Sequence, residues 1–258
     1  MRIGAIAAAA KVGIVVLLAH GGAARAAEIT VLSTPTLKST MEKLGLQFER
    51  TSGHKLTLKF GTSAVLKRQI DAGEAFDLAI LVPASTDALI KEGKIAAETR
   101  TDISRSAVGV AIRAGAPKPD TGSAEALKRT LLEAKSISYS GEGVSGKYFT
   151  GLLDRLGIAA DVKPKLRPLP GGAVVEPVAK GEVDIAVITI ANIIGVPGVE
   201  VAGLLPPDLQ SYTVYTAGVA AGAKNADAAK ALIALLMAPE TTPSIIAAGM
   251  ERVPPQPK

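Results

Sequence analysis

Hydrophobic positions along the chain change between the spacing of a strand and the spacing of a helix. Residues 29–32 are four strand-forming residues, and between Leu37 and Phe48 an apolar residue recurs every three or four positions. The turn between these two patterns, residues 33–36, is rich in hydroxyl groups. The pattern predicts a strand, a turn and a helix in one unit, with the hydroxyl groups at the start of the helix.

Further units of this kind follow along the chain. Alternating strands and helices predict an α/β fold with mostly parallel sheets, whose ligand site lies outside the carboxyl ends of the strands. The units fall into two similar halves, so the exported chain could be one large domain or two small lobes. Strands are predicted at residues 56–60, 78–82, 106–112, 136–139, 162–166, 184–188 and 212–219, and a helix is predicted to run from the loop at 168–172 to Lys180.

Hydroxyl residues stand at three predicted junctions of a strand with a helix, at Thr36, Ser63 and Ser145. One such residue is more often a cap for its own helix than a ligand contact. Three at one sheet edge favour a shared site, because amide groups at a helix start lack intrahelical partners and carry partial positive charge. Thr189 ends a predicted strand and is either a further contact or simply a strand-end residue.

A glycine-rich segment at residues 141–147 matches the dinucleotide pattern and most of the phosphate-loop pattern. Tyr148 stands where a phosphate loop needs Ser or Thr to hold magnesium, and Asp161 precedes the next predicted strand and does not end it. We therefore expect no nucleotide here, although the helix start can still bind an anion. Lys147 is predicted to point into solvent, because a cation there opposes the helix dipole.

The first 26 residues have the features of a secretory signal. Arg2 and Lys11 precede an apolar run at residues 14–19, and residues 24–26 form a small-x-small cleavage site, so we expect export to the periplasm with cleavage near Ala26. Removing this segment reduces the formal net charge from +5 to +2. Few aromatic residues and no block of like charge argue against nucleic-acid binding.

Catalytic chemistry has little support in the sequence. The exported chain keeps one histidine, His54, without neighbours that suggest a triad, and it has no cysteine. Carboxylates such as Asp77, Glu182 and Asp184 lie at predicted element ends without the spacing of metal ligands. We expect a binding protein that needs no cofactor, and we expect no enzymatic activity.

The strand-to-helix turns and the segments that flank them resemble those of the molybdate-binding proteins of ABC importers, which are type 2 periplasmic solute-binding proteins. The resemblance covers nearly the whole exported chain. Its motifs lie at residues 31–37, 60–70, 73–78, 144–148 and 181–186. It implies a monomer of the two-lobed periplasmic-binding-protein type 2 fold, with each lobe a mostly parallel sheet flanked by helices. It also implies a small anionic or polar solute and an inner-membrane ABC permease as partners.

The resemblance also implies the residues of the site. Two hydroxyls of the first lobe, Thr36 and Ser63, and backbone groups of the second surround a tetrahedral oxyanion. The family usually has a tyrosine where this chain has Thr189, and its first loop is usually rich in alanine. A small organic acid is therefore an alternative ligand, and a periplasmic sensor an alternative role. The predicted ligand-binding set is Thr34, Thr36, Thr62, Ser63, Ser145, Gly146, Gly171, Gly172 and Thr189.

The lobes are predicted from the positions of the two alternating halves. Lobe 1 comprises residues 27–106 and 208–258, and lobe 2 comprises residues 107–207. The chain crosses between them near residues 105–108 and 205–212, where binding would close the lobes.

Overall fold

The computed structural model describes residues 26–254; the predicted signal segment before Ala26 lies outside them. Strands and helices alternate along most of this range. The strands are β1 (Glu28–Ser33), β2 (Lys55–Phe60), β3 (Leu78–Leu81), β4 (Thr101–Arg113), β5 (Ile137–Ser140), β6 (Leu166–Leu169), β7 (Ile185–Thr189), β8 (Val199–Leu204) and β9 (Tyr212–Val219). The helices are α1 (Lys38–Ser52), α2 (Ser63–Asp71), α3 (Pro83–Lys91), α4 (Ala124–Glu133), α5 (Val144–Arg155), α6 (Ala159–Val162), α7 (Glu176–Ala179), α8 (Ala226–Met237) and α9 (Thr242–Ala247).

The strands form one hydrogen-bonded path in the order β2-β1-β3-β9-β4-β7-β5-β6, with β8 paired to β4. Two parallel sets, β2-β1-β3 and β7-β5-β6, occupy its two ends. The long strands β9 and β4 join them through antiparallel pairs. The predicted α/β class is therefore confirmed, and the structure adds an antiparallel centre to the parallel sets.

Strand β3 shows why a continuous apolar run forms a central strand. Leu78 and Ile80 pack into one core with α1 and α8, whereas Ala79 and Leu81 pack into another with α2 and α3. Successive side chains of a strand point to opposite faces, so a strand covered by helices on both faces needs apolar residues throughout. The helices thus bury both faces of β3.

The second parallel set is organised around α5. Its apolar face presents Phe149, Leu152 and Leu153, which share a core with Ile137 of β5 and Val187 of β7. Phe149 and Leu152 are fully buried. Burying side chains of this size stabilises the fold by about 1.5–3 kcal/mol each, so α5 is held firmly at the carboxyl ends of these strands.

Two predicted elements were wrong, and one strand was missed. Residues 162–166, predicted as a strand, form the end of α6 and a 3-10 turn, and β6 begins only at Leu166. Pro164 lies within that turn, where the φ angle fixed by its ring is compatible with the turn. The helix predicted to run up to Lys180 is a 3-10 turn at Gly171–Ala173 and the short α7. Strand β8 was not predicted, because it is half-buried along its length and shows no clear alternation.

The described part of the chain contains no helix with both the length and the hydropathy needed to cross a bilayer.

A group of alternating charges fixes the end of α2 on the segment after α3. The Lys67 ammonium lies 2.8 Å from carboxylate oxygens of both Asp71 and Glu92, and the Lys94 ammonium lies 2.6 Å from Asp71. Hydrogen bonds from Lys67 and then Lys94 lower the pKa of Asp71 from 3.8 to about 2. The group therefore helps to hold the helix whose other end carries Ser63.

This lowered pKa predicts how stability depends on pH. A carboxyl whose pKa is lower in the folded state stabilises the fold above its unfolded pKa, and that stabilisation is lost as the pH falls from about 4 to about 2. We expect Asp71→Asn to lower Tm at pH 7 and to match the wild type near pH 2. Thermal unfolding between pH 7 and pH 2, with the exposed Asp154→Asn as control, measures this. A Tm difference that does not change with pH contradicts the prediction.

Candidate functional site

A cleft of about 230 Å³ lies where the carboxyl ends of the two parallel strand sets face each other. Residues that immediately follow or end β1, β2, β3, β5 and β7 line it, together with two side chains of β9. This is the position at which α/β sheets bind ligands. The lining residues used below are Thr34, Thr36, Thr62, Ser63, Ser140, Glu142, Gly143, Ser145, Lys147, Gly171, Thr189, Asn192, Thr213 and Tyr215.

The structure brings the three predicted hydroxyl turns together in this cleft. Thr36 lies in the 3-10 turn before α1, Ser63 is the first residue of α2, and Ser145 lies in the first turn of α5. Each is buried, with 7–9 % of its surface exposed. Hydroxyl donors from both parallel sets therefore surround the same cleft.

At the start of α2 the capping role and the cleft-lining role fall on neighbouring residues. Thr62 is the N-cap, and its hydroxyl accepts from the Val65 amide at 3.4 Å. Ser63 does not cap its helix; its Oγ accepts from the Val82 amide at 3.0 Å. Because a hydroxyl can accept and donate at the same time, the Ser63 proton remains available to a ligand.

Thr34 contributes a hydroxyl of a different kind. The residue lines the cleft and is 5 % exposed, yet its Oγ1 has no hydrogen-bond partner. A buried polar atom without a partner costs about 1–3 kcal/mol. The first turn is therefore not fully satisfied by the protein alone.

Gly146 and Gly172, both in the predicted set, are not among the lining residues, whereas Gly171 is. Gly146 is buried against the end of β5, where a Cβ would lie 1.7 Å from the carbonyl oxygen of Ser140. Gly143 is close to the same residue, and its amide donates to Ser140 Oγ at 3.1 Å. The glycines of this motif thus allow α5 to begin directly against the end of β5. This close packing is a structural reason for the glycines that the dinucleotide and phosphate-loop patterns match.

Several lining residues were missed from the sequence, among them Asn192, Thr213, Tyr215, Ser140 and Glu142. Asn192 lies in a 3-10 turn after β7, and Tyr215 lies within β9. Neither stands at a strand-to-helix turn, so the pattern that identified the others does not find them. The alternation in β9, which buries Thr213 and Tyr215, is the signal that could have suggested their common face.

Asn192 joins the two sides of the cleft. Its Nδ2 donates to Thr36 Oγ1 at 3.0 Å and to Thr189 Oγ1 at 2.6 Å. Tyr215 is 2 % exposed and lines the same cleft. Burial raises the pKa of Tyr215, with the two threonine hydroxyls opposing the shift, so the phenol stays neutral at physiological pH.

Charge is confined to the edge of the cleft. Glu142 and Lys147 are its charged lining residues, and both are exposed. Lys147 is thus exposed as predicted, but it also lines the cleft. His54 lies elsewhere; it stacks on Phe48, and its Nδ1 accepts from the Ala27 amide at 3.1 Å. Across residues 26–254 no three acidic or histidine side chains are grouped so that they could hold a metal ion.

Comparison with known proteins identifies the family. The family model described as bacterial extracellular solute-binding protein matches residues 29–251. The chain is 29 % identical over 235 residues to an aconitate isomerase from a Pseudomonas species, which covers 89 % of each protein. It is 29 % identical over 205 residues to the molybdate-binding protein of Escherichia coli strain K12, which covers 77 % of this chain and 79 % of that one.

Solved structures show the same fold. The periplasmic molybdate-binding protein of Azotobacter vinelandii superposes with a TM-score of 0.76 at 20 % identity, covering 88 % of this chain and all of the other. The predicted resemblance to molybdate-binding proteins is therefore confirmed, as is the two-lobed fold type. An extracellular family also agrees with the predicted export.

The packing of Gly146 predicts a large effect of one methyl group. Gly146→Ala places a Cβ against the Ser140 carbonyl, so we expect α5 to shift and the free energy of unfolding to fall by about 1–3 kcal/mol. Gly151→Ala in the same helix meets no atom within 4 Å, and it should be neutral or stabilise by up to about 1 kcal/mol. Urea unfolding of both variants measures the contrast, and equal stabilities would refute it.

Proposed function

Because the chain belongs to the family of bacterial extracellular solute-binding proteins, we propose that it captures a small oxyanion such as molybdate in the cleft. The closed complex then delivers the anion to an inner-membrane ABC permease. One observation carries this proposal: buried hydroxyls of Thr36, Ser63 and Ser145 share one cleft whose charged lining residues lie only at its edge.

Neutral donors suit such a ligand for a physical reason. Hydrogen bonds from N–H and O–H groups to a charged acceptor are about twice as strong as neutral ones, and they remain strong where water is excluded. No positive side chain is required inside the cleft. Selectivity then follows from the size of the closed cleft and the number of donors.

Closure of two lobes is part of the proposal. The lobes are residues 27–106 with 208–258, and residues 107–207. The hydrogen bond from Asn192 to Thr36 joins residues of different lobes across the cleft. A ligand that accepts from donors of both lobes would stabilise the closed form relative to the open one.

A second candidate is a small polycarboxylate. Lys147 brings a positive charge to the cleft edge, where it can meet a carboxylate that extends beyond the interior donors. The cleft volume of about 230 Å³ also leaves room beyond the four oxygens of a tetrahedral oxyanion. The Pseudomonas relative carries the name aconitate isomerase, so both aconitate isomers belong in the test.

We expect one of these ligands to raise Tm. Molybdate, tungstate, sulfate, phosphate, citrate, cis-aconitate and trans-aconitate are added separately to the exported chain, since a ligand at about 100 times its Kd adds roughly 2.7 kcal/mol of stability. Thr36→Ala combined with Ser63→Ala should remove the shift, because both donors are lost. Ser39→Ala, an exposed hydroxyl on α1 outside the cleft, is the control. Undiminished binding by the double variant would show that the site is elsewhere.

Lys147→Gln separates the two ligand classes. For a polycarboxylate we expect Kd to rise roughly tenfold, which is about 1.4 kcal/mol, because a charge-assisted contact is lost. For a tetrahedral oxyanion held by the interior donors we expect a change of less than about threefold. Titration calorimetry measures both. A parallel chromatographic assay tests whether the wild type interconverts cis-aconitate and trans-aconitate. If it does, the function is isomerisation and not binding alone.

A further inference from the structure

Four side chains that line the cleft form a polar group, which we call the floor cluster: Thr36, Thr189, Asn192 and Tyr215. Both hydrogens of the Asn192 amide are used, one on each threonine hydroxyl. Tyr215 lines the same cleft and is 2 % exposed. The cluster is built from both predicted lobes, and three of its members are at most 9 % exposed.

Counting protons shows which kind of ligand completes the floor cluster. Its three hydroxyls carry three protons, and even if Tyr215 bonded to both threonines, which each already accept from Asn192, those bonds would use at most two of the three. The remaining internal acceptor is Asn192 Oδ1, which lies 3.4 Å from Thr36 Oγ1. That distance is beyond the usual 2.5–3.0 Å for an O–H···O bond. At least one proton is therefore left without a good acceptor inside the cluster.

The orientation of Asn192 decides where that proton can go. Because the amide donates to both threonines, each threonine oxygen already serves as an acceptor, and its own proton must point elsewhere. The cleft borders all four residues. An acceptor in the cleft satisfies the cluster, whereas a cation or a pure donor leaves the proton unpaired at a cost.

We infer that Tyr215 and Asn192 are ligand-positioning residues, which fix the direction of hydrogen bonding so that the floor cluster offers a proton to a fully ionised oxygen of the ligand. Tyr215 thereby supplies a phenol to the cleft from β9, whereas Thr189 stands at the end of β7, where the family usually has a tyrosine. The inference rests on the proposed function, because it requires an anionic ligand.

The test compares variants that keep shape and change donors. Titration calorimetry uses molybdate and trans-aconitate as probes on the exported chain. Tyr215→Phe keeps the ring and removes one hydroxyl, and we expect Kd to rise at least tenfold for the probe that the wild type binds. Asn192→Asp replaces the donating amide with a carboxylate of the same shape, which reverses the hydrogen bonds and repels an anion, and we expect a loss of at least a hundredfold. Tyr139→Phe is the control, since Tyr139 is not a lining residue.

Intrinsic fluorescence gives a readout that a purely structural role would not change. The chain has four tyrosines and no tryptophan, so tyrosines supply the signal. We expect the probe to change the emission of the wild type and of Tyr139→Phe, and to leave that of Tyr215→Phe unchanged even at saturating concentration.

The outcomes separate the inference from the proposed function. If the wild type binds a probe and both Tyr215→Phe and Asn192→Asp bind within twofold of it, the inference is wrong and the proposed function stands. If Tyr139→Phe loses as much affinity as Tyr215→Phe, the effect is not specific to the floor cluster and the inference is also wrong. If the wild type binds neither these probes nor any other anion of the thermal-shift series, both fail.

Discussion

The site depends on the hydrogen bonding of one strand. Residues 101–107 of β4 pair with β9, and residues 108–112 pair with β7, so a single run of backbone belongs to both halves of the sheet. Gln210 reinforces the crossing, because its side chain bonds both the amide and the carbonyl of Val108. This continuity directs the carboxyl ends of the two parallel sets toward each other. The cleft is the space that remains between them.

The meeting of strand ends has a chemical consequence. Turns that follow parallel strands expose amide and hydroxyl groups that the helices after them cannot satisfy. Where such turns lie on an open surface, water satisfies them. Here they surround a cleft and are buried, as Thr34 shows with its unpartnered hydroxyl. A ligand rich in acceptor oxygens is therefore the natural complement of this arrangement, and no ionised group in the interior is needed to attract it.

The relatives show how little separates ligands on this scaffold. Proteins named for molybdate binding and for aconitate isomerisation are both 29 % identical to this chain. Both ligands are oxygen-rich anions, which the same kind of donor set can hold. In this chain Lys147 and Glu142 line the edge of the cleft, and Tyr215 and Asn192 also line it.

Much of the fold and three anchors of the cleft could be predicted from the sequence. Strand-forming runs alternate with helical spacing, as from residues 29–32 to Phe48. This pattern depends on local geometry and on the burial of one face, so it can be identified from the sequence alone. Thr36, Ser63 and Ser145 were identified because each stands at a strand-to-helix turn. The lobe boundaries and the ligand roles of these residues stay predictions.

Tertiary structure alone decided the remainder. Tyr215 reaches the cleft because β9 pairs antiparallel with β3 and β4, and the local spacing of residues encodes neither of these strand pairs. Asn192 reaches it because a turn follows β7. Gly146 was predicted to contact a ligand, yet it lies behind the lining because the helix packs against the end of β5. Local pattern fixes which residues share a turn or a face. Long-range strand pairing fixes which turns meet, and that depends on the whole chain.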